Sequence, residues 1–570
     1  MASAPTTTPR SEWTPKLVHC LRGYTAHSFL VDAIAGVTVG LVALPLAMAF
    51  AISSGVSPQA GIYTAVVAGF FASALGGSRL QITGPTGAFV VVVAGIVAKY
   101  GLGGLALCTI LAGLILLVLG LTGLGTAVKY IPRPVVVGFT NGIAVLIAST
   151  QIKDFFGLTM TKTPSLFLDR LVAIGAHWST LSPAATAVAA GSLTVLIVFR
   201  RFLPRIPGAI VALVVGTLVA WGLRLPVETI TSRFGGIPVG LPPLQVPEIH
   251  LHQFASLISP ALTVAMLGAI ESLMSAVVAD RMSGDRHNPN VELAAQGVAN
   301  LVSPLFGGIP ATGAIARTAT NIRSGAKTPV SGLIHAATLG AILLFAAPVA
   351  GVIPLAILAA ILMMVAYNMG EWREIPSILK LSKADVAVWF VTFMLTVFAD
   401  LTVAVEAGMI LAALLYIARV TNTTTVVPVT EDYVAEGEEH SLQGKEIPDG
   451  VAIYRIHGPF LFGATDKLAI VTDSIEALPP VVILRLRNMT AIDATGIQAL
   501  EDLAETMELH GRHLLLCGMR PQPARLIERA HFQRHLDPRN LCPHVDAALK
   551  RAAEILADPG DGEHEALQPR

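Results

Sequence analysis

This chain has little charge. Asp, Glu, Lys and Arg supply only 13% of its 570 residues, about half the share usual in soluble globular proteins. Its 38 basic residues are matched by 38 acidic ones, so bulk charge gives no argument for nucleic acid as a partner. Cysteine is as scarce. Cys20, Cys108, Cys517 and Cys542 include no close-spaced pair of the kind that marks a disulfide framework or a zinc site, and reduced thiols are expected. The stretch before Asp32 is polar and rich in Pro and Thr, without the apolar core of a signal peptide; the first apolar helix is then expected to act as the insertion signal. A phosphate loop ending in Gly-Lys-Ser/Thr is absent, so ATP-driven transport is unsupported and an ion gradient is the expected energy source. Neither a cofactor, nor a metal site, nor an enzyme's constellation emerges.

Apolar residues take the space that charge leaves: 53% of the chain, with a mean hydropathy of +0.67. Apolar segments fall at 32–52, 60–75, 86–99, 103–123, 132–151, 184–199 and 206–222, and again at 254–279, 291–306, 312–323, 329–347, 353–367, 384–398 and 401–417. Seven mirror seven, and an odd number in the first series makes the second enter with the opposite orientation. The expected fold is an α-helical polytopic membrane protein of fourteen segments arranged as a 7+7 inverted repeat. The domains are then a cytoplasmic N-terminal segment (1–31), a transport domain (32–420, repeats at about 32–222 and 254–418), a polar linker (421–450), a small α/β domain (451–557) and a disordered tail (558–570). Within the α/β domain, strands are expected at 451–457, 481–486 and 514–518, and helices at 465–477, 496–510, 521–530 and 544–556. Basic residues gather in alternate loops, which places both termini in the cytoplasm and the chain in the inner membrane.

The two shortest segments carry the functional clue. Pro85-Thr86-Gly87-Ala88-Phe89 is echoed by Pro310-Ala311-Thr312-Gly313-Ala314-Ile315, and each stretch opens an apolar run too short to cross a bilayer alone. Such half-helices begin inside the membrane, where free N–H groups and partial positive charge attract an anion. Thr86, Gly87, Ala88, Thr312, Gly313 and Ala314 are therefore candidate substrate-binding residues, and Arg317, one turn into the second half-helix, adds a permanent charge. Glu271 lies mid-segment among apolar neighbours, where a carboxylate must face a cavity, be paired or be protonated. Glu271, with Ser275 one turn on, is the candidate coupling site for a proton or sodium ion, and Glu271 with Arg317 makes a pair for which an incoming anion can compete. Asp32, Asp280, Asp400 and Glu406 lie near segment ends and are read as solvated or interfacial.

The run from Ala43 to Thr64, with Thr83-Gly84-Pro85-Thr86, Gly138-Phe139-Thr140-Asn141-Gly142 and the stretch from Asn300 to Asn321, resembles the SulP anion transporters, the sulfate-permease family. The tail resembles a STAS domain. This likeness implies a mobile core domain (segments 1–4 and 8–11) moving in an elevator-like way against a gate domain, a homodimer, and a substrate held between the third and tenth segments. The family's bicarbonate branch carries Asp and Thr where Glu271 and Ser275 stand and lacks an arginine at Arg317. The stretch 265–273 with Ala314 to Arg317 looks most like the bacterial C4-dicarboxylate branch, implying proton-coupled uptake of succinate or fumarate. Sulfate or bicarbonate permease, uncoupled anion channel or exchanger, and membrane-tethered STAS scaffold are the alternatives. In the STAS domain, Asp493-Ala494-Thr495-Gly496 matches the turn where related domains carry a phosphorylatable residue; Thr495 is the regulatory candidate, with Asp493 beside it, and both suit simple helix capping as well. A cytosolic partner at this domain is a further implication of the likeness.

Overall fold

A computed structural model describes residues 13–125, 132–160, 164, 166–203, 206–244, 254–399, 401–429, 442 and 445–557. The expected tail at 558–570, most of the linker, the first twelve residues and Asp400 lie outside the described residues. The chain forms two compact units, residues 1–412 and 413–570.

All fourteen apolar segments fall on helices. They are α1 (Ala26–Ser53), α2 (Pro58–Leu75), α3 (Gly87–Leu121), α4 (Arg133–Phe156), α5 (Pro183–Phe202), α6 (Gly208–Gly222), α7 (Phe254–Ser283), α8 (Pro289–Val302), α9 (Ile315–Arg323), α10 (Val330–Phe345), α11 (Leu355–Met369), α12 (Lys383–Phe398) and α13 (Leu401–Thr423). One of these, α3, holds two segments, because Gly101 at φ 71° breaks its helical path. Among the described residues, six helices are long and apolar enough to cross a membrane by length and composition: α1 to α5 and α7.

The helices sort into two bodies. In the core, α1 packs on α2, α9 and α10, α2 on α8 and α10, α3 on α7 and α8, and α7 on α9. In the gate, α4 packs on α11 and α12, α5 on α6 and α11, and Gly408 of α13 lies against Val135 and Thr392. Small residues set these distances. A Cβ on Gly113 would meet the backbone of Gly297, Asn300 and Leu301, and one on Gly297 would meet that of Gly113 and Leu117, so α3 and α8 touch backbone to backbone. The outward faces stay apolar, with Phe202, Trp221 and Phe345 exposed, as a lipid-facing surface requires.

Two strands of two residues each, β1 (Thr83–Gly84) and β2 (Thr312–Gly313), pair antiparallel, Thr83 opposite Gly313 and Gly84 opposite Thr312. They join the two sequence halves directly ahead of α3 and α9, so the half-helices start side by side and run in opposite directions. The register also corrects the echo read from sequence. Thr312-Gly313 is the counterpart of Thr83-Gly84, not of Thr86-Gly87.

The second unit is a five-stranded sheet in the order β3 (Thr425–Pro428), β4 (Val451–Phe460), β5 (Val481–Ile492), β6 (His513–Cys517), β7 (Leu541–Cys542). Among the described residues of this sheet, β3 and β4 pair antiparallel and the other neighbours parallel. Helices α14 (Ala494–Leu509), α15 (Pro521–Arg529) and α16 (Val545–Ala557) complete the α/β domain. β3 occupies a stretch expected to be linker, and its β-branched run Thr424-Thr425-Val426-Val427 explains why. The helix expected at 465–477 is instead three short turns, Thr465–Leu468, Ala469–Thr472 and Ile475–Ala477. There Ile470, Val471 and Thr472 crowd a helix, and Asp473 and Ser474 compete for its backbone groups.

Candidate functional site

Chain breaks at membrane depth leave backbone groups without helical partners, and this protein answers several of them with side chains. Asn300 of α8 donates to the Ala311 carbonyl and accepts from the Ala311 N–H, both at 2.8 Å. Thr64 of α2 accepts from the Ile309 N–H (2.7 Å), Gln296 donates to Thr83 Oγ1 (2.7 Å), and Asn321 donates to the Leu80 carbonyl (3.0 Å). The Ile82 N–H donates to Thr318 Oγ1 (3.0 Å), while its carbonyl accepts from the Ala314 N–H (2.8 Å). These bonds fix where α3 and α9 begin.

Between core and gate lies a cavity of ≈330 Å³. From the core, Thr86, Gly87, Ala88, Ala314, Arg317 and Glu271 line it; from the gate come Val135, Phe139, Thr140, Asn368, Met369 and Glu371. Thr86 stands at the N-cap of α3, yet its side chain accepts no cap bond and its Oγ1, though buried, has no partner among the described residues. The guanidinium of Arg317, only 2% exposed, donates through Nη2 to the Pro85 carbonyl, and its Nη1 has no partner among the described residues. Gly84 makes room for it, since a Cβ there would strike that Nη1. One arm of a permanent cation thus stands free beside two helix N-termini, an arrangement complementary to an anion's oxygens.

Not every candidate from the sequence reaches the cavity. Thr312, buried, is bonded to Ser272 Oγ (2.8 Å) and donates to the Gly268 carbonyl (2.9 Å), and the Gly313 N–H donates to Ser272 Oγ (3.1 Å). Both therefore brace β2 against α7 and do not line the cavity, which follows from the three-residue shift in the echo. Ser275 is fully buried and bonded to Thr318 Oγ1 (3.0 Å), and does not line the cavity with Glu271 despite the one-turn spacing. Among the described residues no ion pair joins Glu271 to Arg317. They border the same cavity unpaired, because the guanidinium is turned to Pro85. Asp32, read as interfacial, is completely buried, and accepts from Tyr24 Oη (2.9 Å), the Lys327 N–H (2.6 Å), the Thr328 N–H (3.1 Å) and Thr328 Oγ1 (2.6 Å). It anchors the loop after α9. In the second unit, Asp493 caps α14, accepting from the Gly496 N–H (2.8 Å) and the Phe462 N–H (3.1 Å), whereas Thr495 is exposed in the first turn.

Sequence reasoning missed Gln296, Asn300, Ser272 and Thr318, although polar residues inside otherwise apolar runs were the signal for them. It also missed Glu371 and Asn368, at the end of α11, where polar residues ordinarily mark only a span's boundary.

The model of the sulfate permease family matches residues 29–392, and that of the STAS domain matches residues 444–548. The chain belongs to the sulfate permease family. It is an anion transporter and not an enzyme. Bacillus subtilis YvdB, a protein named for sulfate transport, is 40% identical over 528 residues, covering 92% of this chain and 98% of that one. The transmembrane domain of a cyanobacterial bicarbonate transporter, BicA, aligns at 34% identity with a TM-score of 0.60, covering 68% of this chain and 98% of its own. The murine anion transporter Slc26a9, captured in an inward-facing state, shares the fold at 19% identity, with a TM-score of 0.85 over 97% of this chain and 96% of that one.

Proposed function

We propose that this permease takes up C4-dicarboxylates such as succinate and fumarate, driven by a proton carried on Glu271. The observation that carries the reading is Arg317, its Nη1 unpartnered among the described residues, at a cavity whose lining is otherwise largely apolar. A sulfate ion bears oxygens on every side and would leave some facing Phe50, Val135, Phe139 and Leu267, at the cost of unmet desolvation. A dicarboxylate lays one carboxylate on Arg317 and the helix ends, presents its two central carbons to those walls, and has Thr140 and Asn368 on the lining for its second carboxylate. Glu271, held at the same cavity without a cation of its own, suits proton uptake and release.

Core and gate each pack within themselves more than on each other, which supports an elevator-like displacement of the core carrying Thr86, Arg317 and Glu271 together. A homodimer in the inner membrane, with both termini in the cytoplasm, completes the proposal. So does a regulatory STAS domain that offers exposed Thr495 for modification and a face to a cytosolic partner. In proteoliposomes, Glu271→Gln should abolish succinate uptake driven by a pH gradient, and undiminished uptake would remove Glu271 from the mechanism. Transport of sulfate or bicarbonate is the second reading, favoured by the names of YvdB and BicA. A labelled panel of succinate, fumarate, sulfate and bicarbonate, with proton and sodium gradients imposed separately, decides between them.

A further inference from the structure

The candidate cavity is not isolated. A second space of ≈740 Å³ adjoins it, also between core and gate, and is bordered by four arginines: Arg133, Arg200, Arg281 and Arg373. Such a basic chamber concentrates anions. Five residues border both spaces and so form the neck between them: Val136, Ile270, Met274, Asn368 and Glu371. Of these five only Glu371 is charged, and its sign is the wrong one for an anion's passage.

The position of Glu371 is fixed by its backbone. It follows Gly370, which ends α11, and holds φ 37°, a left-handed conformation that costs a non-glycine residue free energy and concentrates at functional positions. Its carboxylate makes no hydrogen bond or ion pair among the described residues, although cations stand nearby. Arg133 is paired with Glu374 (2.5 Å), and Arg200 donates to Asn368 and lies over the Tyr367 ring. Arg281 and Arg373 are exposed at the outer space, and toward the inner one stand Arg317 and Glu271. Burial, then the Glu374 carboxylate, push the Glu371 carboxyl up from the ordinary glutamate value, with Arg133 opposing. The arginines keep their charge throughout the working range, so the sign of the neck is set by its acids.

We propose that Glu371 is a proton-operated electrostatic gate: ionised, it repels small anions from the neck and from the part of the arginine-lined space beside it, and protonated from the water there, it lets them approach Arg317. The gate deepens the proton-coupled reading above and adds a second acid, on the gate body, to Glu271 on the core. The proton returns to the same water when Glu371 ionises behind the anion.

Trp372, the next residue, borders the outer space and reports on it directly. Iodide, a small anionic quencher, is applied to the full chain carrying Trp372 alone, with Trp13, Trp178, Trp221 and Trp389 replaced by Phe; neutral acrylamide serves as the control. Between pH 8 and pH 4, the latter below the ordinary glutamate value of about 4.3, the iodide quenching constant should rise about three-fold or more, as a repulsive charge within several ångströms is removed, while acrylamide quenching stays level. Glu371→Gln should give the high constant at both pH values, and Glu271→Gln should leave the rise in place. If the single-tryptophan chain does not fold, the same comparison is made between Glu371→Gln and the unaltered five-tryptophan chain. A rise that survives Glu371→Gln, a rise lost in Glu271→Gln, or no rise at all would overturn the gate. Because iodide is the probe, the outcome does not depend on which anion is transported, and failure of succinate uptake would sink the substrate reading while leaving this result intact.

Discussion

Replacing Arg317 tests the electrostatic account most sharply, since function and stability should move in opposite directions. In the empty protein the guanidinium is buried with only one arm satisfied, by the Pro85 carbonyl. Removing it gives up that bond but also relieves the desolvation of a half-met charge, and residues held unsatisfied for function commonly return stability when replaced. Arg317→Ala should therefore melt, without ligand, at or above the wild-type temperature. Binding should behave otherwise. A charge-assisted hydrogen bond to the anion is worth about 1.5–3 kcal/mol, or a Kd raised about 10- to 150-fold. At a ligand concentration near one hundred times the wild-type Kd, binding stabilises by about 2.7 kcal/mol, and a Kd weakened about 100-fold leaves about 0.4 kcal/mol. The assay is thermal unfolding in detergent with and without each anion of the panel, beside proteoliposome uptake. Arg317→Lys keeps a point charge but loses the planar fork, so its Kd should fall between the two. An Arg317→Ala protein that binds within two-fold of wild type would refute the assignment. So would one whose unliganded melting collapses, which would make the residue a brace.

Glu292 of α8, buried and accepting from the Ser78 N–H (2.9 Å), Gln81 Nε2 (2.9 Å) and Gln296 Nε2 (3.0 Å), should be structural. Glu292→Ala should cost about 3 kcal/mol or more through orphaned donors, read as a lower unfolding temperature, with Glu292→Gln milder. Asn300→Leu should lower both stability and uptake, because it leaves the Ala311 N–H and carbonyl unmet; an unchanged melting temperature would contradict the bracing role. In the STAS unit the Arg539 guanidinium hydrogen-bonded to Asp537 holds its carboxyl below the usual carboxylate range. A depressed folded pKa gives stability that is complete above the unfolded value of about 3.9 and is lost as pH falls through the folded value. Asp537→Asn should therefore destabilise this unit at pH 7 and flatten its stability profile below about pH 4, as followed by the circular dichroism of the full chain.

The helices were legible because span length and hydropathy are one-dimensional properties, and even the break in α3 shows in Gly101-Leu102-Gly103-Gly104. The half-helices were legible for the same reason. Register was not. A two-residue strand has no periodicity, and with Thr-Gly occurring at 83, 86 and 312 the chain offers two frames for one echo; only pairing across β1 and β2 chooses. Nor does helical spacing say what a face meets: Ser275 lies one turn from Glu271, but Thr318 reaches it from α9.

What separates brace from site here is satisfaction of polar groups. A broken helix in lipid must find partners for every stray N–H and carbonyl, and most polar residues near the break serve as those partners. Thr64, Ser272, Asn300, Thr318 and Asn321 each meet backbone, and Gln296 meets the side chain of Thr83. Among the described residues that line the inner cavity, the buried polar atoms left over are Thr86 Oγ1 and Arg317 Nη1. Leaving them unmet is unfavourable in the empty protein, and that cost is recovered only when something with acceptor oxygens arrives. Type and spacing of residues nominated braces and ligands alike, because both need hydroxyls, amides and charge near a chain break. The distinction is an inventory of partners, which exists only once the two halves of the chain are laid against each other.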